Sequence, residues 1–228
     1  MEPIIALNEL TLKFGKSLAL DQVSLDLPDD AGLVGLFGVN GAGKTSLLRC
    51  LAGLISSFDG RIKAPDPGSI TFLPDKPFLY QFLTLRECLQ LFSRLYPDFD
   101  EPLASQILSR LQLDLDKKVG ECSRGMSEQL HLGLSLARRS NVYLFDEPLA
   151  AVDPLTRDAL KDMIQEYRTP NSLVILSTHL IDDMDGLFDW VVILGHGRLV
   201  ANQSTDSVLE TGVSLEVFFK ETVRALAN

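Results

Sequence analysis

The run "LVGLFGVNGAGKTSLLRCLAG" at 33–53 limits the fold more than any other part of the chain. Its first five residues are apolar on both faces, the pattern of a strand buried on both sides within a parallel sheet. Gly38 to Thr45 then satisfy the G-x-x-x-x-G-K-[ST] spacing, and helical periodicity begins directly afterwards. Glycines at those positions let consecutive backbone N–H groups turn inward around phosphate, and the N-terminus of the following helix adds its dipole. The candidate phosphate-binding residues are Gly38, Asn40, Gly41, Ala42, Gly43, Lys44, Thr45 and Ser46, with Lys44 supplying a cation and the Thr45 hydroxyl a ligand for Mg²⁺.

The rest of the chain is read outward from that unit. Short apolar runs recur at 142–145, 173–176 and 190–194, separated by segments with helical spacing, which predicts a parallel sheet flanked by helices. Upstream the pattern differs: Val23, Leu25 and Leu27 alternate with Ser24 and Asp26, as in antiparallel strands with one wet face. Between about 76 and 138 no strand-like run occurs, and Thr84 with Glu87 forms a capping box before "LQLFSRLY", so a helical insertion is expected there. The segment "PDKPFLYQFLTL" at 74–85 is rich in proline and aromatics; core packing accounts for such residues unless they cluster on the surface, where they would mark a docking site. The C-terminal "SLEVFFKETVRALAN" predicts an amphipathic helix packed on the body, and Trp190 is expected in the core. At 228 residues the chain fits one large α/β domain, 1–228, with the helical part inserted.

Composition removes several function classes. The net charge is −10, from 21 basic and 31 acidic residues with no Lys/Arg cluster, so nucleic acid is not an expected partner. An acidic surface suits basic protein surfaces, among them the cytoplasmic loops of membrane proteins, although a solvated acidic face is the commoner reason for such a charge. No apolar run approaches the ~20 residues of a spanning helix, and the N-terminal stretch lacks the pattern of a secretion signal, which together predict a cytoplasmic protein. The three cysteines, Cys50, Cys88 and Cys122, are scattered without a CxxC pair and are expected as small apolar residues.

A second site element is "NVYLFDEP" at 141–148, where a buried strand ends in two acids. Charge at such a place requires solvent or a cation. Asp146 is therefore a candidate Mg²⁺ ligand, directly or through water, and Glu147 a candidate for polarising an attacking water. Shortly before it stands "CSRGMSEQ" at 122–129, polar and glycine-bearing.

With these elements in order, followed by "AAVD" at 150–153 and "STH" at 177–179, nearly the whole chain resembles the ATP-binding subunits of ABC transporters. The resemblance implies a P-loop NTPase core with a mainly parallel sheet, an N-terminal antiparallel β subdomain and an inserted α-helical subdomain. It implies ATP and Mg²⁺ as ligands, and two such domains facing head to tail with each ATP between one phosphate loop and the other's signature. It also implies a membrane permease as partner, with this chain a peripheral subunit at the inner face of the cell membrane. In the signature, Ser123 and Gly125 are retained, and by resemblance contact γ-phosphate of the facing site; Arg124 and Met126 depart from the family's usual LSGGQ and resemble the signatures of type-two export systems. His179 is implied as a γ-phosphate contact, and Asp153 as a contact across the dimer. Asp75 stands where the family places a glutamine that reaches Mg²⁺ and acts as a lever; a shorter, charged residue there keeps the lever role and leaves direct ligation open.

Phe14, 24 residues before Gly38, has two readings: an aromatic platform for adenine, as the resemblance implies, or core. His131 and His196 are read as satisfied structural residues. Two other function classes stay open beside a transport ATPase: a soluble ABC ATPase in cofactor assembly, and a non-hydrolysing ATP-binding regulatory module.

Overall fold

A computed structural model describes residues 3–150, 152–179 and 186–225. In chain order the strands are Ile5–Phe14 (β1), Ser17–Leu27 (β2), Leu33–Phe37 (β3), Asp59–Lys63 (β4) and Ile70–Leu73 (β5). Val142–Asp146 (β6), Leu173–Thr178 (β7), Trp190–Gly195 (β8) and Arg198–Ser204 (β9) follow. The helices are Lys44–Leu51 (α1), Leu85–Leu95 (α2), Glu101–Arg110 (α3) and Arg124–Leu136 (α4), then Pro154–Tyr167 (α5), Thr205–Leu209 (α6) and Leu215–Ala225 (α7).

Two sheets form, and the sequence explains their difference. In β2 Val23, Leu25 and Leu27 are buried while Ser24 and Asp26 are exposed, so this strand has one dry face and joins the antiparallel sheet β2-β1-β4. Every residue of β3 and of β6 is buried, and these strands lie inside the sheet β5-β6-β7-β3-β8-β9, parallel except for β9. Side chains of period two divide that sheet's contacts between two apolar clusters. Val34, Leu36, Val142 and Leu144 face the antiparallel sheet and α1; Leu33, Phe37, Tyr143 and Phe145 face α5 and α7. A third cluster, with Leu85, Cys88, Phe92, Leu108, Leu130 and Leu134, is built among α2, α3 and α4, the region expected to be helical.

Local signals agree with these elements. Thr84 and Glu87 form the expected capping box at α2, with Thr84 Oγ1 accepting from the Glu87 N–H at 3.1 Å and Glu87 Oε2 accepting from the Thr84 N–H at 2.7 Å. His196 and Gly197, both at positive φ, make the two-residue turn between β8 and β9, a structural place for His196. Cys50 and Cys88 are buried and Cys122 half-buried; burial pushes the first two thiols up to about 11, which leaves them inert. In α7, Leu215 is buried and Phe218 and Phe219 pack partly on the second cluster, as an amphipathic helix should. Two expectations need correction. Trp190 packs on the first apolar cluster but is only half-buried, its indole N–H donating to Asn202 Oδ1 at 2.7 Å. Phe14 is 54% exposed, since it is the last residue of β1 before a hairpin turn, and its core reading falls.

The topology fixes where chemistry can occur. Parallel pairing sets Asp146 beside Ser177 and Phe37 beside Thr178, so the carboxyl ends of β6, β7 and β3 share one edge. Ligands of open α/β sheets bind at that edge.

Candidate active site

The phosphate loop leaves β3 at Gly38 and enters α1 at Lys44. Gly43 takes φ +106°, and a Cβ there would stand 2.7 Å from the Ala19 carbonyl, so the turn needs glycine on both counts. No side chain caps α1, whose first-turn amides thus remain available as anion donors. Lys44 is 6% exposed and folds back across the loop, donating from Nζ to the Gly38 carbonyl at 2.7 Å. Asn40, Gly41, Ala42, Gly43, Lys44, Thr45 and Ser46 line one groove together with Asp75, Glu147 and the β2 segment Ser17–Ala19. Phe14 pairs with the groove residue Ser17 across the hairpin, and its own exposed side chain is not part of the groove lining.

The acid pair meets the loop from the neighbouring strands. Asp146 is fully buried; its Oδ1 accepts from the Thr45 hydroxyl at 3.1 Å and from the Ser177 hydroxyl at 2.8 Å. Its second oxygen, Oδ2, is buried with no hydrogen-bond partner among the described residues. A hydroxyl and an orphaned carboxylate oxygen at the loop are hard oxygen donors of the type Mg²⁺ selects, so the residues fit that ion. Glu147 has φ +51°, and its N–H is held by Ser177 through both the carbonyl and Oγ. Its carboxylate lies between two cationic or polarising groups, Lys44 Nζ at 3.4 Å and His179 Nδ1 at 2.9 Å. Asp75 sits on the groove wall, exposed, 3.9 Å from the Arg49 guanidinium.

Ser177 is a site residue that sequence reasoning missed. The signal was the β6–β7 register, which opposes Ser177 to Asp146 and cannot be read from either strand alone. Arg49, one turn beyond Thr45, was also missed, because its approach to Asp75 brings α1 against the residues that follow β5.

Asp146 also carries a stability cost. Burial is the largest influence on its carboxyl and pushes its pKa up; the Ser177 and Thr45 hydrogen bonds pull it down, and the charges of Asp75 and Glu147 push it up again. A raised folded-state pKa means that the folded chain holds the proton more firmly than the unfolded one. Stability therefore falls as pH rises from the unfolded value of about 3.9 through the folded value, and stays lowered above it. Asp146→Asn in EDTA at neutral pH is expected to raise the thermal midpoint, by about 2–4 °C for each kcal/mol relieved. The gain should shrink near pH 4. A midpoint lowered at every pH would show that the hydroxyl contacts outweigh burial.

Ser123, Gly125 and Asp153 are placed apart from this groove. Ser123 is the N-cap of α4, its hydroxyl accepting from the Met126 N–H at 3.2 Å. Gly125 faces α5, where an added Cβ would approach Thr156 Oγ1 at 3.4 Å. Asp153 caps α5, accepting from the Thr156 N–H at 3.1 Å and hydroxyl at 2.7 Å, bonds that hold its carboxyl below the usual range. Ala151, two residues before it in the "AAVD" run, lies outside the described residues. None of the three lines the phosphate groove of its own chain.

Residues 20–150 match the family model described as ABC transporter. An ABC transporter ATP-binding protein of Methanocaldococcus jannaschii is 32% identical over 205 residues, 88% of this chain and 77% of the relative. The ABC transporter ATP-binding protein YtrB of Bacillus subtilis is 28% identical over 230 residues, 96% of this chain and 78% of the relative. A solved structure of an ATP-binding subunit of an ABC transporter superposes with a TM-score of 0.84 at 26% identity, covering 96% of this chain and 99% of that one. Loop, acid pair and fold agree with these likenesses, and the chain belongs to the ABC transporter family as an ATP-binding domain.

Proposed function

We propose that this chain is the ATP-hydrolysing subunit of an ABC transporter. Two copies, or one copy and a close relative, close around two ATP·Mg²⁺ and so drive a separate membrane permease. The observation that carries the reading is the groove itself: Glu147 stands over the phosphate loop between Lys44 and His179, while Ser123 and Gly125 lie outside that groove. One chain thus supplies a phosphate cradle with a water-polarising acid, and a separate helix N-terminus that has no phosphate loop of its own to serve.

In this reading the α1 amides and Lys44 bind the phosphates, with the exposed Phe14 ring against adenine. Thr45 and Asp146 would hold Mg²⁺, with Asp75 near enough to act through water; the bound ion would offset charge on the transferring phosphoryl group. Glu147 polarises the attacking water, and His179 keeps its carboxylate turned toward the γ-phosphate position. Ser123 and Gly125 of the facing chain complete the donor set on closure. ATP favours the closed pair by its higher affinity for that state, and its hydrolysis removes the bridge.

The partner reading rests on the 74–85 segment. Tyr80 and Phe82 are 62% and 69% exposed and stack at 5.4 Å between ring centroids, a surface use of aromatics that core packing does not explain. No helix among the described residues is long and apolar enough to cross a membrane, so the chain would work as a peripheral subunit at the inner face of the cell membrane. The direction we infer is export, on the Ser123–Met126 signature.

The test is to purify the tagged chain from gently solubilised membranes and to assay phosphate release from ATP. Co-purification of a multi-spanning protein in equal amount, with Mg²⁺-dependent release, is the expected result. Recovery only with soluble partners would favour cofactor assembly, and binding without release a regulatory module.

A further inference from the structure

His131 lies on α4 two turns beyond the Ser123 cap, is 2% exposed, and is not used by the site described above. Its Nε2 accepts from two backbone amides of the 74–85 segment, Phe78 N–H at 3.3 Å and Leu79 N–H at 3.4 Å. An Nε2 that accepts leaves the proton on Nδ1, which faces the Ser127 carbonyl at 2.5 Å. The Phe78 ring stands edge-on to the imidazole at 4.8 Å. Burial also holds the imidazole below its ordinary pKa, so the neutral, accepting form prevails.

These contacts tie three places together. Upstream of Phe78 the chain leads in three residues to Asp75 on the groove wall; downstream it leads to the exposed Tyr80 and Phe82. Along α4, the same imidazole is fixed to the helix whose first turn carries Ser123 and Gly125. We propose that His131 is a positioning residue for turnover: it clamps the 78–79 backbone to α4, so that the aromatic ridge, Asp75 and the signature end of α4 move as one piece. This rests on the ATPase reading above, in which Asp75 and Ser123 serve opposite ATP sites.

The experiment compares His131→Leu, which fills the space without an acceptor, with His131→Gln, whose side-chain carbonyl can accept. Hydrogen exchange of the 76–83 peptide and steady-state ATP hydrolysis are measured on the whole chain. Exchange at the Phe78 and Leu79 amides is expected to be about tenfold faster in His131→Leu, the loss of one hydrogen bond's protection. In the same variant kcat should fall several-fold, with the KM for ATP little changed, because His131 is not part of the groove lining. His131→Gln should restore both. Unchanged exchange in His131→Leu would overturn the clamp. Faster exchange with unchanged kcat would overturn the positioning role, and a kcat loss that glutamine does not rescue would assign the effect to packing instead. Should the leucine variant not fold, His131→Met carries the same comparison. Absence of turnover in the unsubstituted chain is a failure of the ATPase reading and is seen before any variant is made; it removes the role in turnover, and the exchange comparison still decides the clamp.

Discussion

Glu147→Gln is expected to stop ATP turnover while ATP·Mg²⁺ still binds, converting the chain into a stable nucleotide-dependent dimer on a sizing column. The structure explains why both effects should come from one atom change. Glu147 lies 3.4 Å from Lys44 Nζ, but the cradle does not depend on that pair: Lys44 also donates to the Gly38 carbonyl, and Asp146 accepts from Thr45 and Ser177. Glutamine preserves the side chain's volume and one carbonyl oxygen, so the groove keeps its shape. What is lost is the negative charge that faces His179 at 2.9 Å and that, in the proposed mechanism, polarises water. Removal of such a group typically costs on the order of 10²–10⁴-fold in rate. Binding survives because the loss of a nearby negative charge does not weaken, and electrostatically favours, an anionic ligand. The two readouts are phosphate release and elution volume, each with ATP·Mg²⁺, ADP·Mg²⁺ and no nucleotide. Turnover within a fewfold of the unsubstituted chain would remove Glu147 from the chemistry; loss of turnover without a dimer would remove the two-chain site.

Much of this arrangement is legible in the sequence, for identifiable reasons. The β3 and β6 runs read as strands buried on both faces because all ten residues are in fact buried. The glycine spacing fixed the loop because Gly43 has no room for a Cβ and a φ that other residues avoid. What stayed illegible depends on pairing or exposure. Ser177 acquires its place at Asp146 only through strand register, and Phe14 its exposure only through the hairpin that follows it. The apolar residues at 78–82 divide in a way their spacing does not state: Leu79 is buried, while the aromatics Phe78, Tyr80 and Phe82 are exposed. His131 read as a satisfied structural histidine, and it is satisfied; its partners, on a segment fifty residues away, were not predictable from α4.

Ser123→Arg is the variant that separates the two halves of the proposed site. Among the described residues the Ser123 side chain serves its own chain as a helix cap, accepting from the Met126 N–H. Losing that cap costs about 1 kcal/mol, a small fraction of a domain's stability of roughly 5–15 kcal/mol. The phosphate groove of the same chain does not include residue 123, so nucleotide binding to one subunit should be unchanged within about twofold, a difference of less than 1 kcal/mol. In a closed pair, however, a long cation replaces a hydroxyl where the facing γ-phosphate would lie, and its bulk would hold the surfaces apart. Turnover is therefore expected to fall by at least about 10²-fold, the scale of removing one preorganised donor. Nucleotide affinity by a fluorescent analogue and phosphate release are the paired measurements. Ser123→Asp, which keeps a capping oxygen, serves as the folding control and should also fail in turnover, because its carboxylate repels the phosphate. Turnover retained in Ser123→Arg would exclude a signature-mediated site, whereas loss of affinity in Ser123→Arg but not Ser123→Asp would trace the effect to the α4 cap.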